Sequence, residues 1–122
     1  MQPLVIVDSA NVVGSVPDGW WRDRAGAARR LRDALASRDG SRLPGDVVLV
    51  VEGAARGVEP ISGVQVEAAP RSGDDAIVEL VRSASGERPV TVVTADRGLR
   101  ERVRALGADV LGPRELRAVI SY

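Results

Sequence analysis

The chain of 122 residues contains no histidine, no cysteine and no lysine, and only three of its residues are aromatic. Without cysteine it forms neither a disulfide framework nor a zinc-thiolate site. The absence of histidine and lysine removes most side chains that act as bases or nucleophiles near neutral pH. Any chemistry here therefore depends on carboxylates, and clustered carboxylates favour a hard divalent cation such as Mg²⁺.

Charge and length set further bounds. The 17 basic residues, all arginine, balance 17 acidic ones, so no excess of positive charge indicates nucleic-acid binding. The length suits one domain, 1–122. The sequence lacks the run of about 18 apolar residues that spans a bilayer. We expect a soluble, cytoplasmic protein with no membrane partner.

Five apolar runs predict the strands of a mostly parallel sheet. Leu4–Val7, Val47–Val51 and Val90–Val93 are almost continuously aliphatic, as expected of central strands covered on both faces. Val64–Ala68 alternates apolar with polar residues and Asp109–Leu111 is short, which favours the two edges. Amphipathic stretches separate these runs, and this alternation is typical of an α/β domain.

Helices are predicted from apolar residues at helical spacing. One covers Arg24–Ser37, a second ends before Gly86 and a third before Gly107. A fourth opens at Pro113, which suits a first-turn position, and contains the apolar residues up to Ile120.

Carboxylates follow the predicted strands. Asp8, Glu52 and Asp96 come just after the first, second and fourth strands, and the pair Asp74-Asp75 begins a helix. In a doubly wound sheet of order 3-2-1-4-5 the first and fourth strands are neighbours, and their connections leave to opposite faces and open a crevice. A right-handed crossover returns the start of the Asp74-Asp75 helix to the same edge. Carboxylates crowded there either trap protons or bind metal.

Each carboxylate also has an ordinary structural explanation. Asp96 suits a helix N-cap, and Ser72-x-x-Asp75 matches a capping box. Asp8 suits an Asx turn, and Glu52 is a surface residue that opens a loop. The gathering of all of them at one sheet edge favours a functional cluster.

Three segments in this order resemble the NYN domain of the YacP-like branch of the PIN-like ribonucleases: Val5–Gly14, Ser72–Ile77 and Val92–Leu99. The resemblance spans nearly the whole chain as a single domain, 1–122. It implies a PIN-like three-layer α/β/α fold with a mostly parallel five-stranded sheet, order 3-2-1-4-5. It also implies a metal-dependent ribonuclease that hydrolyses RNA endonucleolytically, with single-stranded RNA as its partner.

The resemblance assigns site roles residue by residue. Asp8, Asp74 or Asp75, and Asp96 would hold one or two Mg²⁺ or Mn²⁺ ions that activate water and neutralise developing charge. Asn11 matches an Asn that follows the first Asp of the family. Glu52 stands where many relatives have Asp, as a further possible ligand. Ser9-Ala10 departs from the Gly and aromatic or His that are more usual there.

Other residues near the predicted crevice are candidates for holding substrate. Asn11 and Thr94 either orient water or a phosphate oxygen or satisfy backbone groups at the strand ends. Arg22, Arg71 and Arg97 either bind the RNA backbone or form surface ion pairs. Trp20 and Trp21, which we place in a loop after Asn11, either stack on an unpaired base or pack against the first helix.

Two other function classes compete with a nuclease. A phospho-acceptor receiver domain shares the doubly wound sheet, an acidic pair and a magnesium ion. It needs a lysine, which this chain lacks, and an acidic pair after the first strand. The stronger alternative is a catalytically weak PIN-like module that binds RNA or a protein partner without cutting.

Overall fold

The structure is a computed structural model that describes residues 2–122. Its five strands form one sheet in the order β3-β2-β1-β4-β5, and every pairing of neighbours is parallel. The strands are β1 (Leu4–Asp8), β2 (Asp46–Val51), β3 (Gln65–Ala68), β4 (Val90–Val93) and β5 (Asp109–Leu111). The predicted order, the three central strands and the two edge strands are confirmed.

Five α-helices connect or flank the strands: α1 (Ser9–Gly14), α2 (Arg24–Ala36), α3 (Gly73–Ala84), α4 (Arg97–Ala105) and α5 (Pro113–Arg117). Two short 3₁₀ helices cover Trp20–Arg22 and Gly53–Ala55. The sequence analysis did not predict α1. It also extended α5 too far, because the helix ends at Arg117 and the buried Ile120 follows it in irregular chain.

Side chains alternate between the two faces of the sheet, as the pleat of a strand requires. On β1, Val5 and Val7 join a core shared with α1, α2 and α5. Leu4 and Ile6 join a second core, shared with α3 and α4. The sheet is therefore covered on both sides, and the predicted three-layer α/β/α arrangement is confirmed.

The crevice arises at the boundary between β1 and β4. The chain leaves β1 into α1 and α2 on one face, and it leaves β4 into α4 on the other. In the register of the sheet Asp8 lies opposite Val50, and Val7 lies opposite Val93. The residues after these strands consequently meet at one level, at the carboxyl edge of the sheet. No helix within residues 2–122 is long and apolar enough to cross a bilayer.

Candidate active site

Asp8 is the most deeply placed carboxylate of this edge, with only 5% of its surface exposed. Its Oδ2 accepts a 2.9 Å hydrogen bond from the hydroxyl of Thr94, and its Oδ1 accepts a 3.4 Å bond from the backbone N–H of Asn11. The same Thr94 Oγ1 accepts a bond of 3.1 Å from the backbone N–H of Asp96. The fully buried Thr94 thereby joins the ends of β1 and β4.

Asn11 makes a second connection between these strand ends. Its Oδ1 accepts a hydrogen bond from the backbone N–H of Ala95 at 2.8 Å. The sequence analysis left open whether Asn11 satisfies backbone or contacts substrate, and the structure contains the backbone bond. That bond uses the amide oxygen alone, so the NH₂ group of Asn11 remains a donor for a ligand.

Asp96 caps helix α4, as the structural alternative predicts. Its Oδ1 accepts a 2.9 Å hydrogen bond from the backbone N–H of Leu99. The side chain is exposed at the crevice, and its charge acts on Asp74. The cap leaves the second carboxylate oxygen free of the helix, so capping and metal binding are compatible for Asp96.

Glu52 holds the first turn of α3 from the end of β2. Its Oε2 accepts a 3.2 Å hydrogen bond from the backbone N–H of Gly73. A Cβ atom on Gly73 would lie 3.1 Å from Oε1 of Glu52, which is tighter than ordinary packing, so the close approach favours glycine. Ser72 caps the same helix by accepting the N–H of Asp75 at 3.3 Å. These two contacts fix the position of the acidic pair.

Asp74 and Asp75 lie on different sides of helix α3. Asp74 lies three, four and seven positions before the buried residues of α3, which are Ile77, Val78 and Val81. It therefore shares the sheet-facing side of the helix. Asp75 is on the solvent-exposed side of α3, where its Oδ1 lies 3.2 Å from a guanidinium nitrogen of Arg102. The structure brings Asp74 toward Asp8, Glu52 and Asp96, and it pairs Asp75 with an arginine.

Burial and the neighbouring acids raise the pKa values of Asp8 and Asp74. Burial raises the pKa of Asp8 to about 6, against the hydrogen bonds from Thr94 and Asn11, and the charges of Asp74 and Glu52 add to the rise. Burial likewise raises the pKa of Asp74, followed by the charges of Asp96 and Glu52, and Arg102 opposes it. The charged forms of Asp8 and Asp74 are therefore disfavoured by burial and by the negative charges around them.

The donor set fits a hard divalent cation. Carboxylate oxygens are the ligands that Mg²⁺ and Mn²⁺ prefer, and a cation would offset the burial and the repulsion that raise the pKa of Asp8 and Asp74. Within residues 2–122, no group of three or more acidic side chains stands close enough to hold an ion together. Mg²⁺ is commonly bound through one or two carboxylates and keeps several waters, so two carboxylates of this cluster suffice.

The two tryptophans have different environments. Trp20 is half-buried and packs against the core of the α1 and α2 side. Trp21 is 55% exposed, and the guanidinium carbon of Arg22 lies 5.8 Å from its ring centroid. The two rings meet edge to face with centroids 5.9 Å apart. Trp20 thus packs against the core with part of its ring, and Trp21 is exposed to solvent beside Arg22.

A cavity of about 330 Å³ opens beside the carboxylates, between α1, α2 and the two 3₁₀ helices. It is lined by Ser9, Ala10, Val13, Trp20, Arg24, Glu52, Gly53 and Ala55. The sequence analysis proposed Trp20 and Glu52 as site residues but none of the others. The unpredicted helix α1 supplies one wall, so the cavity was not visible without it.

Arginines line a groove of about 470 Å³ along α4. Arg97, Arg100 and Arg104 occupy helix positions i, i+3 and i+7, and the groove begins at Ala95 beside the carboxylates. The Nε atom of Arg100 is buried and has no hydrogen-bond partner. Sequence reasoning named only Arg97, although the spacing already places all three on one helix face. Arg71, in contrast, lines a separate groove next to Asp75 on the outer side of α3.

Comparison with solved structures identifies the fold. Over 95% of this chain and 72% of that chain, the structure is similar to Rae1 (YacP) from Bacillus subtilis, with a TM-score of 0.75 and 22% sequence identity. A mutant of the same protein matches over 96% of this chain and 74% of that chain, with a TM-score of 0.74 and 21% identity. No protein-family model and no curated protein sequence matches the chain. The chain therefore has the PIN-like fold of Rae1 (YacP), which confirms at the level of the fold the resemblance to YacP-like proteins.

Proposed function

We propose that the protein is a metal-dependent ribonuclease that hydrolyses phosphodiesters within single-stranded RNA in the cytoplasm. One observation carries the proposal. The buried carboxylate of Asp8 lies at the switch point of a doubly wound sheet, in the field of Glu52 and Asp74. Ligands of open α/β sheets bind at this point. The PIN-like fold supports the assignment.

In this proposal Asp8 and Asp74 are the main ligands of Mg²⁺ or Mn²⁺, and Asp96 and Glu52 add negative charge around them. The ion, when bound, supplies an activated water and neutralises charge on the phosphate in the transition state. Thr94 orients the carboxylate of Asp8 by its 2.9 Å hydrogen bond. The NH₂ group of Asn11 donates to a phosphate oxygen. The chain has no histidine or lysine, so no such side chain serves as the base.

The groove on α4 would hold the RNA backbone on one side of the cleaved bond. Its three arginines extend from the carboxylates along seven residues of helix, or about 10 Å. Guanidinium groups bind phosphate through paired hydrogen bonds. Arg22 and Trp21 are exposed on the other flank and are available to a flexible single strand.

A specific observation favours the alternative, an RNA-binding or protein-binding module that does not cut. Within residues 2–122 no three acidic side chains are arranged to hold one ion. A module of this kind would keep the acids for their structural contacts, such as the cap of α4 by Asp96 and the bond from Gly73 to Glu52.

An RNA cleavage assay distinguishes the two. End-labelled single-stranded RNA, duplex RNA and single-stranded DNA are incubated with the protein in Mg²⁺, in Mn²⁺ and in EDTA. We expect internal cleavage of single-stranded RNA with either metal and none in EDTA. Asp8→Asn should slow it by about 100-fold or more, since a metal contributes several kcal/mol to the transition state.

The control is Asp109→Asn, which removes an exposed carboxylate on the edge strand β5. It should cleave like the wild type. Cleavage that survives both EDTA and Asp8→Asn contradicts the proposed mechanism. RNA binding without cleavage in either metal supports the binding module.

A further inference from the structure

The cavity beside the carboxylates has the size and the lining of a pocket for one unpaired nucleobase. We propose that it binds a base of the RNA next to the cleaved phosphodiester, and that it prefers guanine. The inference rests on the proposed function. The volume of the cavity, about 330 Å³, is within the range of small-molecule sites and is ample for one base.

The wall of the cavity offers a stacking surface. Trp20 lines it, and the guanidinium carbon of Arg24 lies 5.3 Å from the centroid of the Trp20 ring. Proteins that read single-stranded RNA stack its bases on aromatic rings and on guanidinium planes. Ala10 and Ala55 also line the cavity, and their short side chains leave space for a planar ring.

Ser9 brings a hydroxyl group to the lining of the cavity. Ser9 is only 3% exposed and lines the cavity. The side-chain hydrogen bonds formed within residues 2–122 do not include this hydroxyl. The hydroxyl is therefore available to donate a hydrogen bond to a base in the cavity.

Glu52 supplies a second polar group in the same cavity. Its Oε2 accepts the N–H of Gly73, and Oε1 remains an acceptor. A carboxylate accepts hydrogen bonds from ring N–H and exocyclic amino groups and repels carbonyl oxygens. Guanine presents two adjacent donors, N1–H and the 2-amino group, beside the carbonyl O6, to which Ser9 can donate. Uracil presents one N–H between two carbonyls, so we expect the pocket to disfavour it.

The cavity is placed to act together with the carboxylates. Ser9 directly follows Asp8 in the chain, and Glu52 both lines the cavity and contributes to the field at Asp8. A base in the cavity therefore brings its own sugar and phosphate to the carboxylates. Trp21 does not line the cavity, which gives the test a matched neighbour for Trp20.

Binding is measured without catalysis, on the Asp8→Asn variant in EDTA. Fluorescence anisotropy gives the affinity for labelled five-nucleotide RNAs of sequence UUXUU, in which X is G, inosine, A, C or U. Inosine is guanosine without its 2-amino group. We expect the RNA with G to bind about tenfold more tightly than those with inosine and U, because a hydrogen bond to a charged acceptor is lost.

Three further substitutions in the same background locate the effect. Glu52→Gln should abolish the preference for G over inosine, because its single acceptor oxygen is taken by Gly73. Ala10→Leu should fill the cavity and lower the affinity for UUGUU to that for UUUUU. Trp20→Leu should weaken the binding of all five oligonucleotides. Trp21→Leu should leave the preference for G over inosine unchanged. Melting curves establish that each variant is folded.

Failure of this inference is distinguishable from failure of the proposed function. Equal affinities for all five RNAs, or no binding of any of them, overturn the pocket and leave cleavage by the wild type to be judged by its own assay. A preference for G that persists in a folded Ala10→Leu variant also overturns it. A preference for G that Ala10→Leu abolishes, in a protein that cleaves no RNA with Mg²⁺ or Mn²⁺, supports the pocket and contradicts the ribonuclease.

Discussion

Replacing the buried carboxylate of Asp8 by an amide should stabilise the metal-free protein at neutral pH. An Asp has an ordinary pKa of 3.8, and burial together with the neighbouring acids raises that of Asp8 to about 6. This difference corresponds to about 3 kcal/mol by which ionised Asp8 destabilises the folded state above pH 6. Asp8→Asn removes this destabilisation of the folded state.

The substitution also has a cost. An Asn oxygen can still accept from the hydroxyl of Thr94, but its NH₂ group cannot accept from the N–H of Asn11, a loss of up to about 1 kcal/mol. The net gain is about 2 kcal/mol. For a domain of this size it should raise the melting temperature by about 6 to 10 °C at pH 7.5 in EDTA.

The pH dependence has a definite sign. Because the pKa of Asp8 is higher in the folded than in the unfolded state, the folded state binds the proton more tightly. Wild-type stability from this group is complete below about pH 4 and is lost as the pH rises through about 6. The advantage of Asp8→Asn should therefore shrink as the pH falls, and near pH 4 the wild type should be the more stable protein by up to about 1 kcal/mol, the cost of the lost hydrogen bond.

Thermal melts from pH 4 to 8 in EDTA measure this effect, with Asp109→Asn as the control for a change of net charge at an exposed site. If Asp8→Asn is no more stable than the wild type at pH 7.5, ionised Asp8 does not destabilise the folded state and the reasoning from its burial and its acidic neighbours is wrong. A second expectation concerns the metal. Mg²⁺ should raise the melting temperature of the wild type more than that of Asp8→Asn, because a ligand stabilises a protein by binding its folded state and the variant has lost one metal ligand.

Three other predictions follow from the site. Asp74→Asn should reduce the rise in melting temperature that Mg²⁺ or Mn²⁺ produces, whereas Asp75→Asn should not; equal shifts in both variants and the wild type would mean that neither residue binds metal. Arg100→Gln should weaken single-stranded RNA binding and lower the slope of log K against log salt by about 0.7, with Arg82→Gln on α3 as the control; an unchanged slope would exclude a phosphate contact at Arg100. Thr94→Val should raise the pKa of Asp8 further, because the hydrogen bond that it removes favours the charged form of Asp8. In EDTA the melting temperature of this variant should fall more at pH 7.5 than at pH 4. An equal fall at both pH values would contradict the role of this bond.

The sheet could be predicted because its signals are local. Near-continuous aliphatic runs mark β1, β2 and β4 as central strands, and the alternating and short runs mark β3 and β5 as edges. Once the order of the strands is known, the carboxylates at the strand ends must meet at one edge. That part of the site needed no side-chain geometry.

Side-chain direction was harder to predict. Asp74 and Asp75 are adjacent, and a helix turns about 100° between neighbours, so they face different environments. The spacing of Asp74 from Ile77, Val78 and Val81 contained the answer, because it places Asp74 on the buried side of α3.

Helix α1 escaped prediction for a different reason. It has six residues, too few for a helix that is stable alone. It is held by the cap from Asp8 and by the burial of Val12 and Val13, which are tertiary effects.

The hydrogen bond from Thr94 to Asp8 also affects how the chain folds during synthesis. It joins residues 86 positions apart, and β1 needs β4 to complete its second edge. Sheets built from such distant pairings fold slowly, because the chain must close a long loop before the contacts form. A growing chain can pair β1 with β2, but it has no Thr94 or Asp96 until most of the residues have been added. We therefore expect the carboxylate site to be absent from nascent chains, and the proposed ribonuclease would be unable to cut RNA before β4 has been added.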